Sequence, residues 1–599
     1  MTVFRSLLSS GKRLSIKKAL GLSYSACNCL FIRKRSDISG KFVSFDEIVA
    51  QRRAEARRSL VVQVNSEASF TELYGYCSKY ASINGVHHYK NSGGENFMLI
   101  EFSTEECLKD VIRACGTHQK DLDVMAIQSP FLWFRAASEK KDKFQLPSEV
   151  SLVTKHSDME VNENALFEEL AQCKTVSDQI QLLYDRTALN DLGVRLRYMV
   201  ARQVECIFDS LYANIAVYPF GSSVNGFGKL GCDLDLVLTN AVTKEMNEPS
   251  KRLVYQCSKS EGGRSPWQRH MELVAEALEL RAAGAARVTR VLHARVPIVK
   301  YRHTLAGLDC DLCFNNMSGV YMSELLWSLG ALDARVRPLA VAVRRWAQAA
   351  ALTSPHPGRW ITNFPLTLMV LFFLQQHDRA HVLPPINTLV KAAGKEDVRI
   401  AEENVNATFV RDMNKLPPSC YGQSDASLET LLLQFFEFYA QFDFQNKAIS
   451  VNEGTAIRKP NNLPLYIQNP LEQALNVSRN VSYEECEKLK IEVRNAAWQL
   501  ESMDDGRTDD WGIIGLIERK TTRGLKRLLR VGNSHRLLSM KELFQEEQAE
   551  KAKESQAVRP EEISSKKDDT VEKEKKGPIK FKNSHVASEV YRIRRNKMV

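Results

Sequence analysis

The feature that most restricts this chain is a pair of apolar strands joined through a glycine–serine turn, with two carboxylates on the returning strand. The run Ile215 to Phe220 ends at Gly221-Ser222-Ser223, and a loop containing Asn225, Gly226, Phe227 and Gly228 leads to Asp233-Leu234-Asp235-Leu236. Glycine at such a turn allows close backbone approach, and successive N–H groups can cradle phosphate oxygens. Period-two alternation puts Asp233 and Asp235 on one face of the returning strand while Leu234, Leu236 and Leu238 face the core. Two like charges on one strand face repel and desolvate poorly, so the arrangement asks for cations beside them. Two Mg²⁺ ions about 3.5–4 Å apart would supply that compensation, lower the pKa of an attacking hydroxyl and stabilise a leaving pyrophosphate, as in-line nucleotidyl transfer requires. A third carboxylate is then needed on the nucleophile side. The strand Leu308 to Phe314 offers Asp309 and Asp311 on one face, and alternation cannot choose between them. A lone D-x-D most often marks solvated or calcium-loop carboxylates. The glycine–serine turn, and a third acidic strand about 75 residues on, make this set far more specific.

At roughly 150 residues per domain, 599 residues with 44% hydrophobic and 26% charged side chains predict three or four folded units, an α/β multidomain chain. From about residue 58 to 136 the pattern reads strand, helix, strand, strand, helix, strand, the βαββαβ order of RNA-recognition folds. Its third strand shows Phe97 but then Leu99, and its first shows Val61 and Val62, so it is poor in the aromatics that stack bases. Docking or self-association suits that surface better than RNA stacking, and a homodimer through this front domain is expected. Helical periodicity runs from Glu163 to Asp209; strands then alternate with a polar insert, residues 241–266, and an amphipathic helix, His270 to Ala283. A mostly helical region follows to about Glu501. A basic helix, Ile513 to Arg530, reads as a solvated amphipathic face, or otherwise as an RNA-backbone stripe. Beyond it, residues 545–599 are too polar and charged to offset ordering entropy.

The net charge is +10, but eight of the positive charges precede the first acidic residue, Asp37, leaving +2 for the other 563 residues. Global basicity is therefore no argument for nucleic acid. Residues 1–36 combine those eight bases with seven serines and no acid, the composition of a mitochondrial transit peptide, and imply the matrix. The apolar stretch Ala19 to Ile32 is too short and polar to span a bilayer, so no membrane partner is expected. Thirteen scattered cysteines read as reduced thiols, and Cys310-x-x-Cys313 lacks the second pair that a zinc site needs.

With the G-S…D-x-D motif and the third acidic strand, the chain resembles the nucleotidyltransferase superfamily built on the DNA polymerase β catalytic fold. Further along it is similar to the noncanonical poly(A) and poly(U) polymerases. Cys310-Asp311-Leu312-Cys313-Phe314-Asn315-Asn316 resembles that family's third-carboxylate strand, which selects Asp311. Val336-Arg337-Pro338-Leu339 to Arg344-Arg345-Trp346, and Trp360-Ile361-Thr362-Asn363-Phe364, are similar to its central domain; Gln468-Asn469-Pro470-Leu471-Glu472 through Asn476-Val477 is similar to its poly(A)-polymerase-associated region. The resemblance implies a leader (1–36), an RNA-recognition-like domain (58–136), a polymerase β-like α/β catalytic palm (163–320), a mostly helical central domain with the associated region (321–501), a basic extension (502–544) and a charged tail (545–599).

It also implies roles. Asp233, Asp235 and Asp311 would be the catalytic metal ligands for Mg²⁺ or Mn²⁺; Gly221 and Ser222 would hold the triphosphate of ATP, bordered by Gly231 and Cys232. Asn316 would lie near the ribose, Arg344 near the phosphates, and Asn363 and Phe364 at the base, where Phe364 could otherwise be a core aromatic. Relatives often carry two lysines where this chain has Arg344 and Gln348, and a serine where it has Asn363, which weakens the expected grip on triphosphate. Uridylyl-adding relatives carry a histidine where Leu475 stands, so ATP is favoured. The implied activity is template-independent addition of AMP to RNA 3′ ends. Its alternatives are terminal uridylyl or short oligonucleotide addition, and a noncatalytic RNA-binding scaffold, which the three retained carboxylates oppose.

Overall fold

The computed structural model describes residues 42–115, 129–134, 151–153, 160–209, 211, 215–239, 266–356, 358–376, 381–401, 405–502 and 511–518. The leader, nearly all of the polar insert, the basic cluster from Arg519 to Arg530 and the charged tail lie outside the described residues.

The front of the chain opens with a helix that hydropathy does not reveal, α1 (Phe45–Arg57), started by a reciprocal capping box between Ser44 and Glu47. Then follow β1 (Ser59–Val64), α2 (Phe70–Cys77), β2 (Ile83–Lys90), β3 (Asn96–Phe102), α3 (Glu105–Ala114) and β4 (Phe131–Trp133), in a sheet of order β2-β3-β1-β4. Alternation divides the sheet into two apolar faces. Leu60, Val62, Met98 and Ile100 pack under α2 and α3 with Leu73, Leu108 and Val111. Val61, Tyr89, Phe97, Leu99 and Phe131 face the opposite way and join the core of the following domain. Phe97 and Leu99 are 1% and 0% exposed, Tyr89 stacks on Phe97 at 5.3 Å, and the Tyr89 hydroxyl donates to the Leu305 carbonyl at 3.1 Å. The face on which an RNA-recognition fold would stack bases is thus a wall of this chain's own core. The expectation that it docks holds within the chain, and it is not available for self-association.

The helical stretch read as continuous from Glu163 is three helices, α4 (Glu163–Ala171), α5 (Val176–Thr187) and α6 (Asp191–Phe208), because Thr175 and Asn190 cap new starts by accepting from the N–H groups of Asp178 and Gly193. After it come β5 (Ala216–Phe220), β6 (Leu234–Thr239), α7 (Pro266–Arg281), β7 (Ala285–Val291), β8 (Ile298–His303) and β9 (Leu308–Phe314). Their sheet runs β5-β6-β9-β8-β7, with β6 and β9 parallel and the other pairs antiparallel. One face is covered by α6, α7 and the front sheet. The other carries the acidic residues.

The remaining elements are α8 (Ser318–Leu332), α9 (Val336–Ala349), α10 (Asn363–Leu374), α11 (Ile386–Lys391), α12 (Leu428–Ala440), the hairpin β10 (Lys447–Ser450) and β11 (Thr455–Arg458), α13 (Tyr483–Glu501) and the single turn α14 (Ile514–Ile517). They surround one large apolar core, centred on α9, α10 and α12. Among the described residues no helix is long and apolar enough to cross a membrane.

An ion network locks α1 and the front sheet to α6. Arg52 contacts Asp191 at 2.6 Å and Glu55 at 2.9 Å; Arg195 contacts Asp191 at 2.7 Å and Glu101 at 2.8 Å; Arg58 contacts Glu101 at 2.6 Å. Burial pushes the Asp191 carboxyl up, but Arg52 and then Arg195 outweigh it and bring it down to about 2. Because the folded value is depressed, the stability held there is complete above the unfolded value, about 4, and is lost as pH falls toward 2. Replacing Arg195 with Met strands buried carboxylates, so Arg195→Met should cost about 3–5 kcal/mol in denaturant unfolding at pH 7, with the deficit shrinking below pH 4.

Candidate active site

The acidic face is a grid set by strand register. In one row Phe220 of β5, Asp235 of β6, Asp311 of β9, Lys300 of β8 and Thr289 of β7 are successive cross-strand partners. Two residues along, Asp309 pairs with Arg302, and Asp233, immediately before β6, continues the register opposite Asp309. In the other direction Val237, Cys313 and Ile298 form an apolar row closed by Met317 and Val320. Neighbouring strands lie about 4.8 Å apart, so Asp235 and Asp311 are forced side by side. That register, together with the resemblance, places Asp311 rather than Asp309 opposite Asp235.

Electrostatics follow from the crowding. The Asp235 carboxyl is pushed up to about 6 by burial, then by Asp311 and Asp233, against a lowering pull from Lys300. Asp233 is raised by burial, then by Asp309 and Asp311. Asp309 is held by Arg302 at 2.7 Å, and Asp311 by the Lys300 ammonium. As the side chains stand, no three acidic, cysteine or histidine groups among the described residues converge on a single ion position. The donor chemistry nonetheless fits a hard divalent cation: oxygen ligands only, like charges in excess, and one carboxyl already destabilised as an anion.

The turn before β6 is built around that carboxylate. Gly221 has φ +67, and a Cβ there would lie 2.5 Å from Asp235 Oδ2, so only glycine lets the carboxylate in. Its N–H, which the resemblance assigned to phosphate, instead donates to Ser323 Oγ at 2.7 Å. The N–H groups of Val224 and Asn225 go to the Gly221 carbonyl. Ser222 is half-buried, and Ser223 has a structural job.

Ser223 Oγ accepts from Arg197 Nε at 3.1 Å and donates to the Asp233 carbonyl at 3.3 Å. Arg197, 1% exposed on α6, also donates to the Gly193 carbonyl, the Cys232 carbonyl and Cys232 Sγ. Sequence reasoning missed this clamp, which fixes the two ends of the loop; a charged residue within an apolar helix stripe was the available signal. Cys232 is half-buried beside it, and Gly231, at φ +71, is exposed.

Arg344 reaches the same loop from α9, but it donates to the Phe227 carbonyl at 2.5 Å, and burial pulls its guanidinium down. It braces the loop from behind. Lys229, which the sequence reading did not single out, reaches solvent near Asp233, and its ammonium is lowered by burial and then by Arg344 and Arg345. Asn316 follows the strained Asn315 (φ +50) and accepts from Ser318 Oγ at 2.6 Å. Asn363 is exposed at the start of α10, and Phe364 is half-buried and packed against the helical core. Thus the turn, the acidic residues and Cys232 share one set of contacts, while Asn363 and Phe364 stand on the helical half. The loop 467–478, which includes Leu475, is stiffened by Asn469 and Asn476 side chains accepting from neighbouring N–H groups. Across the opening, Arg295 at the β7–β8 turn pairs with Glu472 of that loop at 2.6 Å.

Asp235→Asn should both inactivate and stabilise. Because the folded pKa is raised, the ionised carboxylate works against folding above pH 6 and not below about 4. Without added divalent metal, the variant should gain about 1–3 kcal/mol at pH 7, and the gain should vanish by pH 4 in denaturant titrations. Its metal-dependent activity should fall at every pH.

Residues 176–329 match the family described as poly(A) RNA polymerase, mitochondrial-like, central palm domain, and residues 427–474 match Cid1 family poly A polymerase. The mitochondrial poly(A) RNA polymerase of Drosophila melanogaster is 45% identical over 494 residues, covering 79% of this chain and 80% of that protein. The human enzyme of the same name is 34% identical, covering 79% and 81%. The crystal structure of mtPAP in complex with ATPγS superposes with a TM-score of 0.70 at 29% identity, and that with GTP at 0.71 and 30%, each covering 80% of this chain and all of the other.

Proposed function

The chain belongs to the mitochondrial poly(A) RNA polymerases, and on that premise we propose how its own residues carry out polynucleotide adenylyl transfer. It is a nucleotidyltransferase of mixed α/β sheets that adds AMP from ATP to RNA 3′ ends in mitochondria. The oxygen of the RNA 3′-hydroxyl forms a bond to the α-phosphorus of ATP, the bond to the β-phosphate oxygen breaks, pyrophosphate leaves, and the hydroxyl proton is lost.

Asp233, Asp235 and Asp311 would hold the divalent ions, Mg²⁺ or Mn²⁺. When bound, these lower the pKa of the 3′-hydroxyl and neutralise the departing pyrophosphate. Ser222 positions phosphate oxygens, with Lys229 supplying the charge that Gln348 lacks and that Arg344 spends on a carbonyl. Arg197 holds Ser223 and the residue before Asp233 in place, so the carboxylates meet the nucleotide without reorganisation. Asn316 sits toward the ribose, and Phe364 offers a stacking face that reads no identity. Leu475 in the stiffened loop disfavours uracil.

The finer assignments rest on the order of parts: a polymerase β-like palm at 163–320, helical central and associated region at 321–501, and an RNA-recognition-like front at 58–136. The matrix location rests on the acid-free leader. A homodimer through the front domain would have to use strand edges and not the buried sheet face. Deleting residues 40–140 would strip cover from the palm core, so light scattering of the whole chain is the measurement, and a monomeric mass refutes the dimer.

The observation that carries the reading is the register that pairs Asp235 with Asp311. Purified protein given oligo-RNA, a divalent metal and each NTP in turn should extend the 3′ end, fastest with ATP. Asp311→Ala should cut the rate at least ~10³-fold with an unchanged circular dichroism spectrum. Undiminished extension by that variant would overturn the assignment.

A further inference from the structure

Asp311 Oδ2, an oxygen that the nucleophile-side metal needs, is already in contact with a cation, the ammonium of its cross-strand partner Lys300. Lys300 lies beyond Asp311 in the row that runs from Phe220 through Asp235, on the side of the sheet away from the phosphate turn. The flanking row repeats the pattern, with Arg302 on Asp309. The two outer cations are held differently. Arg302 Nη2 also reaches Ser92 Oγ of the front domain at 3.4 Å and is 29% exposed, whereas the Lys300 side chain is 49% exposed and its flexible stem is free to swing.

We propose that Lys300 is an exchangeable counter-cation of the third carboxylate, which yields Asp311 to the metal more readily when it can pass to a phosphate of the incoming RNA strand. A metal and an ammonium cannot share Asp311 Oδ2 at full strength, so Lys300 lowers metal affinity while it stays there. At the exposure of Lys300 the pair is weak enough to exchange, and another anion within reach shifts the exchange further. The face beyond β9 is made by β8 and β7, where Lys300 and Thr289 form the row's outer end, and a phosphodiester lying over it gives the ammonium its alternative partner. Metal and RNA then favour one another through a single side chain, and linkage makes the effect reciprocal. Lys300 is thus a positioning residue that couples the assembly of the two-metal site to RNA arrival.

The proposal rests on Asp233, Asp235 and Asp311 being metal ligands, and the two ideas can be separated. Mn²⁺ binding to the full chain is followed by electron paramagnetic resonance, without nucleotide, in the presence and absence of an oligo(A) RNA ending in a 3′-deoxy sugar. Wild-type protein should bind Mn²⁺ about tenfold more tightly with the RNA. Lys300→Met should bind it about tenfold more tightly than wild type without RNA and gain little more when RNA is added. Lys300→Arg, which keeps a cation in reach, should not show the tight RNA-independent binding. Arg302→Met, which removes the same charge one row away, should shift affinity by less than about threefold, separating contact from general field. Binding that Asp235→Asn weakens but Lys300→Met leaves unchanged overturns the proposal alone. Binding equal in wild type and Asp235→Asn overturns the ligand assignment and the proposal with it.

Discussion

The parallel register that sets Asp235 beside Asp311 is the constraint to which the rest of the site conforms. Two carboxylates on adjacent strands, one pushed up to about 6, are a stored repulsion that folding tolerates because neighbours on every side are chosen for it. Gly221 gives the room that any Cβ would take from Asp235. Lys300 and Arg302 supply positive charge from the outer strand, and the apolar row at Val237 and Cys313 shuts off one end. A divalent cation placed among these carboxylates relieves the repulsion that raises Asp235, so the crowding itself favours metal.

The front domain is structural to this arrangement. A sheet of RNA-recognition order has one face for its helices and one face free, and here the free face is filled by Val61, Phe97 and Leu99 and covered by the palm core. The β2–β3 turn then meets the β8–β9 region, with Asn91 donating to the Thr304 carbonyl and Ser92 touching Arg302, which holds Asp309. A surface that elsewhere could grip nucleic acid here fixes the strands that carry the chemistry. The ions between α1, β3 and α6 do the same work on the far side.

Most of the site was legible because it obeys short-range rules. The turn, the alternation of Asp233 and Asp235, and the acidic strand 308–314 follow from glycine freedom and a period of two, and β1 has the bounds that alternation implies. Alternation cannot choose between Asp309 and Asp311, and it is strand pairing that sets Asp311 beside Asp235. Helix α1 escaped notice because its buried side includes Arg52 and Glu55, which hydropathy scores as exposed. The β10–β11 hairpin was hidden in a helical reading although Asn452-Glu453-Gly454 marks its turn, with Gly454 at φ +68. Arg344 looked like a phosphate ligand by position, and only its reach to the Phe227 carbonyl shows otherwise. Partners brought from far along the chain cannot be read from composition or period.

The two halves of the enzyme are joined unequally. Near the phosphate turn the helical half is held by partly buried hydrogen bonds, from the Gly221 N–H to Ser323 Oγ and from Arg344 to the Phe227 carbonyl, and Arg337 of α9 packs closely against Gly226. At the opposite rim the described contact is the Arg295–Glu472 pair, with side chains 47% and 22% exposed. An ion pair in that setting contributes about 0–1 kcal/mol and weakens with salt, whereas each hydrogen bond to the turn has a partly desolvated partner to lose. Contact between the halves is therefore weakest at the loop that carries Leu475 and strongest at the phosphate turn.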